Sequence, residues 1–173
     1  MTPTFVAIDF ETADYAADSA CAVGLVRVER WTVVAREARL IRPPRRYIRF
    51  TYLHGITWAQ VESAPLFADV WPQLCPLLDG AEYFVAHNAG FDRGVLHACC
   101  ALARLAVPRL PFMCSMREAR EKWGIRPTKL PDVCRFLGLS LNHHDAVSDA
   151  EAAARIMIAA RGEEFISARP ASC

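Results

Sequence analysis

FVAIDFET, residues 5–12, sets the architecture of this 173-residue chain. FVAIDF is apolar apart from Asp9, as a buried strand is. Asp9 and Glu11 stand two residues apart. On a strand they share one face, roughly 6.5–7 Å apart at Cα, while Phe10 faces the other way. Two carboxylates on an apolar strand do not lie in a dry core without partners. Either the strand end frays into water, or the fold gathers the acids into a pocket that uses them.

CAVGLVRVE (21–29) and WTVVAREARLI (31–41) read as two further strands, close enough to pair as a meander. Arg36, Glu37 and Arg39 break the alternation of the second, so one of its faces is expected to be wet, and Pro43 and Pro44 end it. Residues 42–57 have no period and read as a long ordered loop. APLFADVWPQLCPLLDG (64–80) carries a helical stripe, with Pro72 and Pro76 predicting a kink or two short pieces. EYFVAHN (82–88) and LPFMCS (110–115) read as strands. Helices are expected over 91–106, 116–124, 130–139 and 148–161. Three successive strands followed by alternating strands and helices predict an α/β fold, an antiparallel meander extended by parallel strands.

Apolar residues make up 53% of the chain, enough for a sizeable core, and the formal charge is +1. That charge neither advertises nor excludes a nucleic-acid ligand, because a local patch can serve one. Seven cysteines with no C-x-x-C pair read as reduced core thiols. The N-terminus lacks a signal-peptide pattern and no apolar run is long enough to span a membrane. The expectation is a cytoplasmic protein with no membrane partner, one domain over 1–162 and a poorly ordered tail over 163–173.

Two more clusters carry chemistry. AHNAGFD (86–92) sets a polar turn, His87-Asn88, between a strand and a helix, where α/β proteins place functional groups. Asp92 falls in the first helical turn, where the dipole favours a carboxylate; alone it is equally a plain helix start. HHDAVSDA (143–150) precedes the alanine-rich last helix. Asp145 can cap that helix, and Asp149 lies in its first turn. His144, five residues before Asp149, can project from the loop over a site that Asp149 helps build. His143 competes with it.

In this order, D-F-E-T, H-N-A-G-F-D and H-x-A-x-x-D resemble the motifs of the DEDDh family of 3'-5' exonucleases, which includes the proofreading epsilon subunit of bacterial DNA polymerase III and ribonuclease T. LHGIT (53–57) and KLPDVCRFLGL (129–139) extend the resemblance over nearly the whole chain. It implies a ribonuclease H-like fold, a five-stranded mixed sheet flanked by helices. It implies Asp9, Glu11, Asp92 and Asp149 as ligands of two divalent metal ions, Mg²⁺ or Mn²⁺, with His144 as general base. Phe10, Thr12, His54, His87, Asn88 and Phe91 match positions near the substrate. The activity implied is a two-metal hydrolysis of phosphodiester bonds from a free 3' end of nucleic acid, releasing nucleoside 5'-monophosphates. Single-stranded DNA is favoured as substrate over RNA. An RNA-trimming enzyme of the same fold is the alternative, and a catalytically inactive binding module a third reading. No polymerase-binding segment is recognisable, and a homodimer stays open. Six arginines between 36 and 49, interleaved with Tyr47 and Phe50, either track a phosphate backbone or form a solvated edge.

Overall fold

The computed structural model describes residues 3–167. Its centre is a five-stranded sheet of β1 (Thr4–Thr12), β2 (Ala20–Glu29), β3 (Thr32–Leu40), β4 (Tyr83–Ala86) and β5 (Phe112–Cys114), in the order β3-β2-β1-β4-β5. The first three strands are antiparallel; β4 and β5 join parallel to β1. The mixed sheet expected from the sequence is the one observed. The helices are α1 (Thr51–His54), α2 (Trp58–Val61), α3 (Phe67–Leu74), α4 (Ala89–Ala103), α5 (Ser115–Trp123), α6 (Leu130–Leu137) and α7 (Ala146–Ser167).

Strand periodicity sorts β1 onto two cores. Val6, Ile8 and Phe10 pack with Val70, Trp71, Leu74, Leu96 and Cys100 from α3 and α4. Phe5 and Ala7 face the other way, against Ala150, Ala153, Ala154 and Met157 of α7. Asp9 and Glu11 continue this second row, so the face covered by α7 turns from apolar to acidic at the strand's C-terminal end. Each buried aromatic or aliphatic side chain here contributes roughly 1.5–3 kcal/mol by leaving water.

β2 lets α7 approach closely. A Cβ on Gly24 would lie 2.2 Å from the Ala146 carbonyl oxygen and 2.4 Å from the Val147 nitrogen. Gly24 is the register partner of Asp9. The missing side chain therefore brings the start of α7 down beside the first acid.

Several boundaries differ from the sequence reading. Leu66 adopts an extended conformation, so α3 begins at Phe67 rather than near Pro65. The two prolines split that segment as predicted: α3 contains Pro72, and a 3₁₀ turn over Cys75–Leu78 starts beside Pro76. The loop over 42–57 contains α1, and α2 follows where no helix was expected; the Gln60 side chain accepts the Thr57 N–H at 2.7 Å. The last helix reaches Ser167, past the end expected at 161. Residues 168–173, the rest of the expected tail, lie outside the described residues. The six cysteines among the described residues are free thiols. Among the described residues no helix is long and apolar enough to cross a membrane.

Candidate active site

The sheet's geometry gathers the acids. β1 pairs with β4 only from Phe5 to Ala7, so its last residues run past the end of β4 with one edge open. After β4 the chain turns through Asn88, held at φ 71° and ψ 52°, and enters α4. That left-handed conformation is one asparagine tolerates better than most residues. The turn aims the first turn of α4 at the open edge. There the Phe10 N–H donates to Asp92 Oδ1 at 3.1 Å, which replaces the strand partner β4 no longer offers. Asp92 is 1% exposed.

The fourth acid comes from α7. Asp145 caps the helix, accepting the Ser148 N–H at 2.9 Å, the interaction expected of it. Asp149, one turn in, is buried and faces the row that holds Asp9 and Glu11. Ligand oxygens of Asp9, Glu11 and Asp149 all lie within 4.8 Å of one another. Asp149 Oδ2 accepts the His144 N–H at 3.1 Å and pairs with His143 Nδ1 at 2.9 Å. Its Oδ1 is buried with no hydrogen-bond partner.

Clustered this way, the acids resist ionisation. Burial, then the Asp149 and Asp92 charges, pushes Glu11 up to about 8. Asp9 rises well above the usual carboxylate range, through burial first and then the charges of Asp92, Asp149 and Glu11. Asp92 and Asp149 also rise, chiefly through burial. A divalent cation would relieve both the repulsion and the orphaned Asp149 oxygen. An all-carboxylate set suits hard ions such as Mg²⁺ or Mn²⁺, so the residues fit the expected cofactor.

A cavity of about 640 Å³ opens over the cluster, lined by Asp9, Glu11, Asp149, His143 and His144 on its polar side. The two imidazoles stack with centroids 3.8 Å apart. His143 is committed to Asp149. The His144 ring, on a residue held at φ 68°, is turned into the cavity wall. Burial and then the neighbouring His143 lower its pKa, which keeps it in the form that can accept a proton. Desolvation outweighs the opposing attraction of Asp149.

A family model described as Exonuclease, RNase_T, matches residues 6–157. The chain belongs to this exonuclease family. It is 33% identical over 135 residues to Exodeoxyribonuclease 10 of Escherichia coli strain K12, across 73% of this chain and 54% of that protein. It is 30% identical over 158 residues to the PolC-type DNA polymerase III of Clostridium perfringens strain 13 / Type A, across 88% of this chain and 11% of that protein. The chain thus spans about half the length of the first relative and about a tenth of the second. Among solved structures, Exonuclease X in complex with 5' overhanging duplex DNA aligns with TM-score 0.75 and 26% identity, over 93% of each chain. The nuclease domain of 3'hExo, a DEDDh family member bound to rAMP, shares the fold at TM-score 0.79 and 20% identity, over 95% of this chain and 93% of that one.

Within this family member, the residues expected near the substrate divide. Phe91, 48% exposed, lines the cavity, as do Phe10, Thr12, His54 and His87. Phe10 is otherwise part of the core. His54 accepts the Ile56 N–H on Nδ1 at 3.0 Å, which leaves its Nε2–H to donate to the Thr12 carbonyl at 3.2 Å. It ties the LHGIT segment to the end of β1. Both His87 nitrogens are also taken, by Ser115 Oγ at 2.9 Å and the Thr128 carbonyl at 3.0 Å. Burial lowers the pKa of each of these two histidines, so both act as neutral struts. Asn88 does not line this cavity; it faces a neighbouring hollow with Arg93, Arg117 and Glu118.

The arginine-rich segment is mostly spent on the protein itself. Arg36 pairs with Glu151, Arg39 with Glu37, and Arg45 with Asp14 and Asp18. Arg46 and Arg49 lie over the rings of Trp58 and Tyr15. Motif reading missed Tyr15, Phe50 and Leu53, which line the same cavity as Phe91. A tyrosine alone in a polar turn straight after an acidic strand end was the available signal.

Proposed function

We propose that the chain is a metal-dependent 3'-5' exonuclease that hydrolyses the terminal phosphodiester bond of a nucleic acid with a free 3' end. The observation that carries this is the convergence of four acids from three separate elements, with Asp9, Glu11 and Asp149 lining one cavity and Asp92 buried beside them, next to a histidine whose ring nitrogens make no hydrogen bond to the described residues. Asp9, Glu11, Asp92 and Asp149 would hold two divalent ions, Mg²⁺ or Mn²⁺. When bound, these cations supply charge neutralisation at the scissile phosphate and polarise it toward attack. His144 takes the proton from the attacking water at its free ring nitrogen, a role its lowered pKa favours near neutral pH. His143 holds Asp149 in place and is a positioning residue. Phe91, half exposed in the cavity lining, is the ring placed to contact the terminal nucleotide.

Single-stranded DNA is the substrate proposed. Support comes from the 33% identity to Exodeoxyribonuclease 10 and the DNA-bound Exonuclease X. The test incubates purified protein with 5'-labelled single-stranded DNA and RNA oligomers in Mg²⁺, Mn²⁺ or EDTA. Stepwise loss of nucleotides from the 3' end, faster on DNA and abolished by EDTA, is the expected result. Faster loss from RNA would reassign the substrate to the RNA-trimming alternative. Cleavage that survives EDTA, or none on either polymer, would sink the mechanism.

A further inference from the structure

We propose that the exposed ridge of Tyr15, Phe50 and Tyr52, with Arg49 laid across it, is a stacking platform for unpaired nucleotides upstream of the one being cleaved. This platform presupposes the exonuclease centre proposed above and adds a length requirement to its substrate.

Tyr15 and Phe50 line the catalytic cavity, and Tyr52 continues the row outside it. The Tyr15 and Phe50 rings meet edge to face with centroids 4.8 Å apart; Phe50 and Tyr52 do so at 6.3 Å. Tyr15 is 79% exposed and Tyr52 75%. Trp71, Phe5 and Phe84 are fully buried in the same molecule, so these two rings were not left outside for want of a core. Contiguous exposed aromatic surface of this kind marks a binding site.

The ridge is also rigid before anything binds. The Ala13 carbonyl accepts the N–H groups of both Arg49 and Phe50, at 2.7 and 3.3 Å. Arg45 clamps Asp14 from the other side at 2.8 Å. The Thr51 hydroxyl donates to the Ile56 carbonyl at 2.7 Å. The turn after β1 and the segment carrying α1 therefore form one wall, and little ordering entropy remains to oppose a ligand.

Three features select single-stranded nucleic acid as the occupant. The row is continuous with the cavity that receives the 3' end. It carries a cation, with Arg49 5.1 Å above the Tyr15 ring. Aromatic faces beside guanidinium groups are how sequence-tolerant single-strand sites hold bases and phosphates together. Bases inside a duplex are already stacked on their neighbours and cannot lie on such a ridge.

The test measures a thymidine dinucleotide and a thymidine octanucleotide as substrates in Mn²⁺ and as ligands in EDTA. The wild-type protein should bind the octanucleotide at least about tenfold more tightly. Tyr52→Ala should remove at least about fivefold of that advantage, the lower end of what one lost base stack costs. Tyr52→Phe should keep it, since the ring face remains. An undiminished length advantage in Tyr52→Ala overturns the platform. Equal loss in Tyr52→Phe overturns it too, by assigning the effect to the hydroxyl. Binding is read without metal, so failure of the wild type to cleave in Mn²⁺ would count against the catalytic centre while the ridge is still decided.

Discussion

His143 and His144 show what a single side chain's environment decides. The rings stack on each other and both line the cavity, yet one nitrogen of His143 is held by Asp149 while His144 is tied to Asp149 only through its backbone. His144→Ala should therefore lower kcat by about 10²–10⁴-fold, the usual contribution of a general base. His143→Ala should lower it far less and instead weaken Mn²⁺ binding, measurable by calorimetry. The reverse ranking would exchange their roles. Asp9 and Glu11 were legible as a pair because a strand's period of two fixes their shared face. The arginine pairings were not legible: Arg36 finds Glu151, 115 residues away in sequence, and no local pattern announces that. The left-handed turn at Asn88, which lines a neighbouring hollow rather than the cavity over the acids, was not legible either.

Gly24 carries the argument from residues to elements. The close approach of β2 to the start of α7 is what allows Asp149 to meet Asp9. Gly24→Ala would put a Cβ 2.2 Å from a backbone oxygen, and backbone cannot swing aside as a flexible side chain can. The helix start must move, at a stability loss of about 1–3 kcal/mol, as for other overpacked sites. Movement of α7 carries Asp149 and His144 with it. We expect Gly24→Ala to lose Mn²⁺ affinity and kcat beyond what its lowered thermal midpoint explains at a temperature where it is still folded. A variant that is merely less stable, with unchanged metal affinity, would separate the close approach from the site. The strands and long helices were readable because their periods extend over enough residues. α1 and α2 have four residues each, too few to show any period, and the reach of α7 beyond 161 was hidden by the polar GEE that follows its alanine-rich stretch.

For the whole molecule, the gathered acids set how stability depends on pH and metal. The resemblance supplied the expectation that they converge; their local patterns alone fit a frayed strand and two helix starts equally well. Convergence makes the metal-free protein carry a charge problem. Glu11 ionises at about 4.5 when unfolded and at about 8 when folded. Below about 4.5 it is protonated in both states and contributes nothing. As pH rises from about 4.5 to about 8, unfolding releases its proton, so stability falls across that window and levels off above it. His54 and His87 act in the opposite sense but only below about 6.5, where the unfolded chain takes up the protons their buried rings refuse. The window from about 6.5 to about 8 therefore isolates the carboxylates. In EDTA the thermal midpoint should fall across it, and saturating Mg²⁺ or Mn²⁺ should abolish or reverse the fall, because the cations bind the ionised form and stabilise the state that binds them. Glu11→Gln removes the ionising group while keeping its size. It should flatten the metal-free profile, raise the midpoint at pH 8 in EDTA, and lose most of the stabilisation by metal together with nuclease activity. A metal-free Glu11→Gln protein no more stable than wild type at pH 8 would mean that the cluster is not under the strain its burial implies.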